Sequence, residues 1–373
     1  MSQEWYADLA LPPQVETPAA VVDLDRLEAN IARMADRAAS AGVALRPHAK
    51  THKSVEVAAL QLDAGAAGLT VATLREAEAF AEGGCTDLFV AYPLWAGGGR
   101  ARRLRTLHEG VRLRVGVDNI DSAETLAMAV KDVQPPLEVL IEVDSGGSRT
   151  GVSVDNVKGL AKQCLRLGLN VVGAFTHPGH AYAGREKVVA AATDEQNALR
   201  LAGEALQPFL ESPPVLSGGS TPTANADVRV VATEIRPGTY VFGDRQQMTL
   251  SALPLDDVAL VIASRVVSTP RPGTAVLDAG SKTLSSDRPS WLQGFGLLPA
   301  APEARISSLS EEHAVVTGLD ADIRVGDLMA VVPNHVCTAV NLCSELVVCR
   351  GGRFVEVWPV GSPSGRRQSV PAN

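Results

Sequence analysis

The hydrophobic positions in the first two thirds of the chain alternate between short β-branched runs and longer amphipathic stretches. The run at 20–23 predicts a strand, and the stretch after it predicts a helix with Asp25 as its capping residue. The apolar residues of that stretch recur every three or four positions and share one helix face: Leu27, Ile31, Met34 and Ala38. Further runs predict strands at 43–46, 69–73, 88–92, 113–118, 139–144, 171–176 and 215–217. The stretches between most of them, of roughly 10–16 residues, are long enough for parallel crossovers.

This alternation predicts the fold class. Eight strand–helix units in about 200 residues favour an α/β fold, a (β/α)8 TIM-type barrel, over an open doubly wound sheet. The first strand is not followed by a GxGxxG loop, so a dinucleotide-binding sheet is not indicated. After about residue 249 the chain changes to short β-rich segments, at 258–267, 273–278, 313–319, 328–332, 346–349 and 354–357, with a hairpin turn at 350–353. We therefore expect a barrel over residues 12–248 and an appended all-β domain over residues 249–373, to which residues 1–11 add a strand.

Composition and charge limit the class of protein. Hydrophobic residues make up 46% and charged residues 20% of the 373 residues, which is typical of a globular chain with a large core. The net charge of −8 argues against nucleic acid or an anionic membrane as partner. Apolar runs fall short of the ~18–20 residues that span a bilayer. The five cysteines are odd in number and lack the spacing of a disulfide framework, so we expect a reduced, cytoplasmic enzyme.

The segment 46–53, after the second predicted barrel strand, carries residues that can do chemistry. Polar residues at the C-terminal ends of barrel strands face the active site. Lys50 lies there beside Arg46, His48 and Lys53, and their positive charge is expected to depress the pKa of its ammonium group. A neutral lysine amine can form a Schiff base. The alternative is a solvated basic loop that binds an anion.

Three later strand ends carry further polar groups. Arg149 closes a turn after the sixth strand and suits an anion or a ring oxygen, and His177 and Tyr182 follow the seventh strand. The eighth strand is followed by glycines that admit a close ligand and by hydroxyls that donate to it: Gly218, Gly219, Ser220 and Thr221. Such a phosphate-binding loop, combined with a lysine on an early strand, indicates pyridoxal 5′-phosphate (PLP).

A second constellation lies in the β-rich part of the chain. His335 and Cys337 are two residues apart, and on an extended segment their side chains would point to the same side. Imidazole and thiolate together suit Zn²⁺. Two ligands fit an open site whose other positions hold water and substrate. The alternative is a half-buried histidine beside a core cysteine.

Four motifs together resemble the D-threonine aldolase and D-serine dehydratase family of fold-type III PLP enzymes. The motifs occur in the family's order, at 46–53, 144–152, 236–242 and 333–337, and the resemblance spans residues 17 to about 359. It implies an alanine-racemase-like barrel with a β-domain. It also implies a homodimer in which the β-domain of one subunit meets the barrel of the other.

The resemblance also implies roles for particular residues. Lys50 matches the Schiff-base lysine, and His335 and Cys337 match the divalent-metal ligands, so these three are the expected catalytic residues. The other expected cofactor-binding residues are His48, Arg149, His177, Tyr182, Gly218, Gly219, Ser220, Thr221 and Tyr240. The His-x-Cys spacing favours the dehydratase side of the family over the aldolases with His-x-Asp, and zinc over manganese or magnesium. One departure is the sequence at 341–344, Asn-Leu-Cys-Ser, where members often follow Asn-Leu with His-Asp or Tyr-Asp; if that pair shapes the pocket, the substrate differs from the usual one.

The expected function is that of a lyase acting on a small-molecule substrate, a β-hydroxy D-amino acid. Elimination of water, as in D-serine dehydratase, would give a 2-oxo acid and ammonia. The nearest alternative is retro-aldol cleavage to glycine and an aldehyde. A racemase has no use for His335 and Cys337, and a PLP carrier without turnover would lack the β-domain. The D preference rests on the resemblance alone.

Overall fold

The protein folds into two eight-stranded sheets, and helices surround one of them. A computed structural model describes residues 11–13, 15–319 and 323–361. Most of the strand predicted at 1–11 and the chain end from residue 362 lie outside these described residues. Of the helices in the described ranges, none is long and apolar enough to cross a membrane.

The elements follow each other in the predicted alternation. The strands are β1 (Ala19–Asp23), β2 (Ala44–Leu45), β3 (Leu69–Val71), β4 (Asp87–Pro93), β5 (Arg112–Val117), β6 (Glu138–Glu142), β7 (Asn170–Phe175), β8 (Val215–Gly218), β9 (Glu234–Ile235), β10 (Leu260–Arg271), β11 (Thr274–Leu277), β12 (Arg305–Leu309), β13 (Ala314–Thr317), β14 (Leu328–Val331), β15 (Glu345–Arg350) and β16 (Arg353–Pro359). The helices are α1 (Leu24–Ser40), α2 (Val55–Asp63), α3 (Leu74–Glu82), α4 (Gly99–Gly110), α5 (Ile120–Ala129), α6 (Val154–Arg166), α7 (Val188–Leu206), α8 (Thr221–Ala224), α9 (Arg245–Thr249), α10 (Ser281–Leu284) and α11 (Val336–Leu342).

One sheet is parallel throughout and has the order β2-β9-β8-β7-β6-β5-β4-β3. Hydrogen bonds also join its two ends: the Ala49 N–H donates to the Thr70 carbonyl at 2.8 Å, and the Thr70 N–H donates to the Pro47 carbonyl at 2.8 Å. The sheet is thereby curled into a barrel. Phe89 and Phe175 pack edge to face, 5.1 Å between ring centroids, in one buried cluster of this sheet. The predicted (β/α)8 fold class is confirmed.

The first predicted strand, at 20–23, forms as β1, but its assignment to the barrel is wrong because β1 lies in the other sheet. It pairs antiparallel with β10 and parallel with β15, and β9 is the eighth barrel strand instead. An apolar run cannot show which sheet it joins, since its hydrogen-bond partners lie far away in sequence. Helix α1 also begins earlier than predicted: Asp23 caps it by accepting the Arg26 N–H at 3.2 Å, in place of Asp25.

The second sheet has the order β12-β13-β11-β10-β1-β15-β16, and β14 also pairs with β10. The predicted hairpin at 350–353 is confirmed, because β15 and β16 pair antiparallel with Arg350 opposite Arg353. Gly351 and Gly352 both have positive φ, 55° and 73°, which favours glycine at both turn positions. Because β1 joins this sheet, the β-rich part of the chain is hydrogen-bonded to the segment that leads into the barrel.

Candidate active site

A cavity of about 230 Å³ lies where the segments after β2, β7, β8 and β9 meet the segment after β14. Parallel strands place their C-terminal ends at one face of a barrel, so these segments converge there. Nine of the twelve predicted site residues line the cavity: His48, Lys50, His177, Tyr182, Gly219, Ser220, Thr221, His335 and Cys337. Arg149, Gly218 and Tyr240 are outside its lining.

The surroundings of Lys50 differ from those expected from its neighbours in sequence. The buried Arg46 turns into the barrel, where its Nε donates to Glu234 at 2.6 Å. Lys53 reaches across to the side chain of Asn341, two residues before the Cys343-Ser344 pair at which the sequence departs from the family pattern. The expectation that Arg46 and Lys53 crowd Lys50 is therefore wrong, because neither side chain lines the cavity.

Two neutral imidazoles stand beside Lys50. Burial, followed by the charge of Lys50, holds the pKa of His48 well below its usual value, and the same causes lower the pKa of His177 to about 3. The His177 ring stacks on Tyr182 with centroids 6.3 Å apart. His48 Nδ1 is buried without a hydrogen-bond partner among the described residues. Near neutral pH both imidazoles are therefore uncharged, and His48 has a ring nitrogen available to a ligand.

The predicted phosphate-binding loop turns sharply between β8 and α8. Gly219 has a φ of +83°, a conformation that side chains other than glycine rarely adopt. Ser220 caps α8 reciprocally: the Ser220 N–H donates to the Thr223 hydroxyl at 2.9 Å, and the Ser220 hydroxyl accepts the Thr223 N–H at 3.4 Å. The turn presents Gly219, Ser220 and Thr221 to the cavity, whereas Gly218 lies behind it.

Tyr240 and Arg149 act from outside the cavity lining. The Tyr240 phenol is buried and accepts the Gln61 side-chain N–H at 3.0 Å, and the Tyr240 backbone N–H donates to the Thr221 hydroxyl at 3.1 Å. Tyr240 thus supports the loop from outside the cavity lining. Arg149 is near enough to lower the pKa of His177.

His335 and Cys337 face each other at the start of a helix. An extended conformation was expected for both residues, and only His335 has it. His335 is extended and directly precedes α11, and Cys337 lies in its first turn. The helix begins there because the buried Asp244 carboxylate accepts the Val336 N–H at 3.0 Å. The same carboxylate oxygen lies 3.1 Å from His335 Nδ1. Asp244 therefore fixes both the helix start and the orientation of the imidazole.

The charges of this pair stabilise each other. Burial opposes charge on both groups, but the Cys337 sulfur and the Asp244 carboxylate together raise the pKa of His335 well above its usual value. His335 in turn lowers the pKa of Cys337 despite burial, and the Thr51 hydroxyl lies 3.2 Å from the sulfur. Without a metal the pair thus favours a thiolate beside an imidazolium, and a metal ion would take the place of the imidazolium proton.

The pair fits an open divalent-metal site. An imidazole and a thiolate are ligands that suit Zn²⁺, and a carboxylate behind the imidazole is the usual support of a metal-bound histidine. Across residues 11–13, 15–319 and 323–361, no three His, Cys, Asp or Glu side chains converge as metal ligands. His335 and Cys337 would therefore supply two ligands, and the others would come from water and substrate.

Arg236 is a cavity residue that the sequence analysis did not assign. It follows β9, a strand that the sequence pattern did not predict, although it begins the motif at 236–242. Its Nη1 donates to the Ser217 hydroxyl at 2.6 Å and its Nη2 to the Thr176 carbonyl at 2.7 Å. The guanidinium lies over the rings of Phe89 and Phe175, 5.5 and 5.3 Å from their centroids. Arg236 Nε is buried and has no hydrogen-bond partner in the described part of the chain.

These groups fit PLP by their chemistry. Lys50 offers an amine to an aldehyde, and the glycine turn with the Ser220 and Thr221 hydroxyls offers a cradle to a phosphate. The unpartnered nitrogens of His48 and Arg236 are buried polar groups that a ring substituent or ring nitrogen would satisfy.

The chain matches two family models and several known proteins. Residues 22–246 match the family model of the alanine racemase N-terminal domain, and residues 259–349 match a serine dehydratase domain. The chain is 37% identical to D-threo-3-hydroxyaspartate dehydratase of Delftia sp., over 87% of this chain and 91% of that one. It is 32% identical to D-threonine aldolase of Arthrobacter sp., over 97% and 99%. The crystallised Delftia dehydratase superposes with a TM-score of 0.84 at 33% identity, covering 94% of this chain and 98% of that one.

The fold and the matched models define an alanine-racemase-like barrel enzyme of the PLP-dependent lyase class. The chain belongs to the family that contains the D-serine dehydratases and D-threonine aldolases. The resemblance in the four motifs is confirmed.

Proposed function

We propose that this protein is a PLP- and divalent-metal-dependent lyase that removes water from a β-hydroxy D-amino acid, as D-serine dehydratase does. The products would be a 2-oxo acid and ammonia. The observation that carries the proposal is one cavity lined both by Lys50, after β2, and by His335 and Cys337, before and within α11. Side chains lining one cavity could serve the same substrate, Lys50 through the cofactor and His335 with Cys337 through the metal.

A related enzyme supports the metal pair. Two solved structures are variants of a D-threo-3-hydroxyaspartate dehydratase. One has a histidine replaced by alanine, and the other has alanine for the cysteine two residues further along and is in a metal-free form. The same spacing separates His335 and Cys337. Because thiolate is a soft ligand, we propose zinc in preference to manganese or magnesium.

Each chain residue then has a defined task. When bound, PLP supplies an electron sink for charge at the substrate Cα, and the metal supplies Lewis acidity to the β-hydroxyl. Lys50 removes the α-proton as general base. The β-hydroxyl would leave as water, accepting the proton that Lys50 took from Cα, and the released aminoacrylate would hydrolyse to the 2-oxo acid and ammonia.

The remaining cavity residues would bind and orient the cofactor. Gly219, Ser220 and Thr221 would hold the phosphate, with Gly218 supporting the turn from behind. His48 and His177 face the ring region as neutral donors or acceptors. Burial raises the pKa of Tyr182, so its phenol stays protonated and can donate a hydrogen bond. Tyr240 and Arg149 lie outside the cavity lining. Tyr240 would support the phosphate-binding loop through Thr221, and Arg149 would help to keep His177 neutral.

The second candidate function is retro-aldol cleavage, which the similarity to an aldolase over 97% of this chain favours. D-threonine separates the two reactions. We expect 2-oxobutyrate and ammonia from the purified, zinc-loaded protein, with L-threonine as the control substrate. Glycine with acetaldehyde would instead establish the aldolase. Turnover of neither D-threonine nor D-serine nor D-3-hydroxyaspartate would overturn the proposed lyase substrate class.

A further inference from the structure

A buried carboxylate lies directly behind the phosphate-binding loop. Glu195 projects from α7 and is 1% exposed, and its Oε1 accepts the Gly219 N–H at 2.5 Å. A Cβ atom at Gly218 would lie 2.8 Å from the same oxygen, so the loop backbone packs closely on this carboxylate. An amide of the turn that faces the cofactor is therefore already bound to an acid.

Glu195 has no ion-pair partner within the described part of the chain. Its other contacts are with the neutral side chains of Thr223 and Gln196, and Arg236 acts on it only from a greater distance. Glu195 also lines a second cavity, of about 260 Å³, together with the charged residues Arg37 and Asp227. Burial raises the pKa of Glu195 more than the hydrogen bonds to its carboxylate lower it, and the resulting pKa is about 7. The carboxyl group thus changes charge near neutral pH.

We propose that Glu195 is a positioning residue that holds the Gly219 turn and sets the affinity of the loop for a phosphate monoester. The inference rests on the proposed PLP site. An ionised carboxylate behind the turn repels a phosphate dianion in front of it, through a part of the protein where water screens charge poorly. A protonated Glu195 still accepts the Gly219 N–H through its carbonyl oxygen but carries no charge. Raising the pH through about 7 therefore weakens phosphate binding.

Glu195→Gln isolates the charge, because glutamine keeps the acceptor oxygen and the size of the side chain. The full-length protein is stripped of PLP, and the dissociation constant of PLP is measured from its visible absorbance between about pH 6 and pH 8.5. We expect the variant to bind PLP about tenfold more tightly than wild type at the higher pH and equally at the lower. Pyridoxal, which lacks the phosphate, should bind both proteins equally.

Glu204→Gln is the matched control, because it removes an exposed acid from the same helix, where Glu204 pairs with Arg200. Its PLP affinity should follow that of wild type at every pH. Equal PLP affinity of Glu195→Gln and wild type across the range overturns the inference while leaving the proposed cofactor intact. Failure of all three proteins to bind PLP would overturn the proposed cofactor and this inference with it.

Discussion

At the scale of single residues, Lys50 shows why position in space matters more than position in sequence. The cations expected around it, Arg46 and Lys53, point to Glu234 and Asn341, and Arg236 from a distant segment shares its cavity instead. The groups that accompany Lys50 are neutral imidazoles and one buried guanidinium. Among the described residues, Lys50 is the one lysine that lines the cavity.

Lys50→Ala is expected to abolish fixation of PLP by borohydride, because borohydride reduces the bond between a lysine amine and the aldehyde. Mass spectrometry of the reduced, digested protein measures the modified residue. Lys53→Ala is the control, since Lys53 lies three residues away and bonds to Asn341. Labelling of Lys53 or Lys282 in the wild type would contradict the assignment.

Cys337→Ala, or a chelator, is expected to remove activity while leaving the visible absorbance of bound PLP intact. The metal would serve the β-hydroxyl, and losing Lewis-acid assistance should reduce the rate roughly 10³-fold or more. Turnover of D-serine and the metal content are measured together. Cys337→Asp should restore a two-ligand site that prefers harder ions such as Mn²⁺. An unchanged rate after exhaustive chelation would refute the role of the metal.

At the scale of elements, the start of α11 determines the metal pair. The Asp244 carboxylate ends the preceding extended segment by capping this helix and holds the His335 ring at the same time. Backbone hydrogen bonds from Arg245 to Pro333 (3.0 Å) and from Gln246 to Asn334 (3.1 Å) tie α9 to this segment. The pair is therefore held by two elements that are far apart in sequence.

Asp244→Asn is expected to lower metal affinity about 10- to 100-fold, because asparagine keeps only one acceptor oxygen for the backbone N–H groups of Gln247 and Val336 and no longer supports the imidazole with a negative charge. Competition with a chromogenic chelator measures the affinity. Circular dichroism and PLP absorbance should match wild type, which separates this effect from misfolding. Unchanged zinc affinity would show that the contact with His335 is only structural.

At the scale of the whole molecule, two large aromatic side chains are exposed on the barrel surface, near the C-terminal end of β4. Tyr92 is 50% and Trp95 56% exposed, in a chain in which aromatic residues make up only 4%. The homodimer implied by the family resemblance would give this surface a partner. We expect light scattering to report twice the mass of the chain and Trp95→Ser to weaken the dimer, with Met128→Ser as the exposed control. A monomer at micromolar concentration would contradict the expectation.

The sequence by itself determined the elements and most of the chemistry. Apolar periodicity is local, so seven of the eight barrel strands and the face of α1 with Leu27, Ile31, Met34 and Ala38 were predictable. The order of the motifs was enough to identify the family. Because Lys50 and the loop at 218–221 both follow predicted barrel strands, their positions were enough to predict that they lie in one region. Strand β9 was not predicted, and the run at 20–23, which lies in the other sheet, was counted as a barrel strand in its place.

The tertiary structure alone decided how these pieces meet. β1 joins the second sheet because its hydrogen-bond partners, β10 and β15, come from the far end of the chain. The same non-local packing turns Tyr240 away towards Gln61 and brings Glu195 from α7 to Gly219. Local pattern cannot reveal such contacts, since the direction of a side chain and the burial of a charge depend on residues that sequence spacing does not connect.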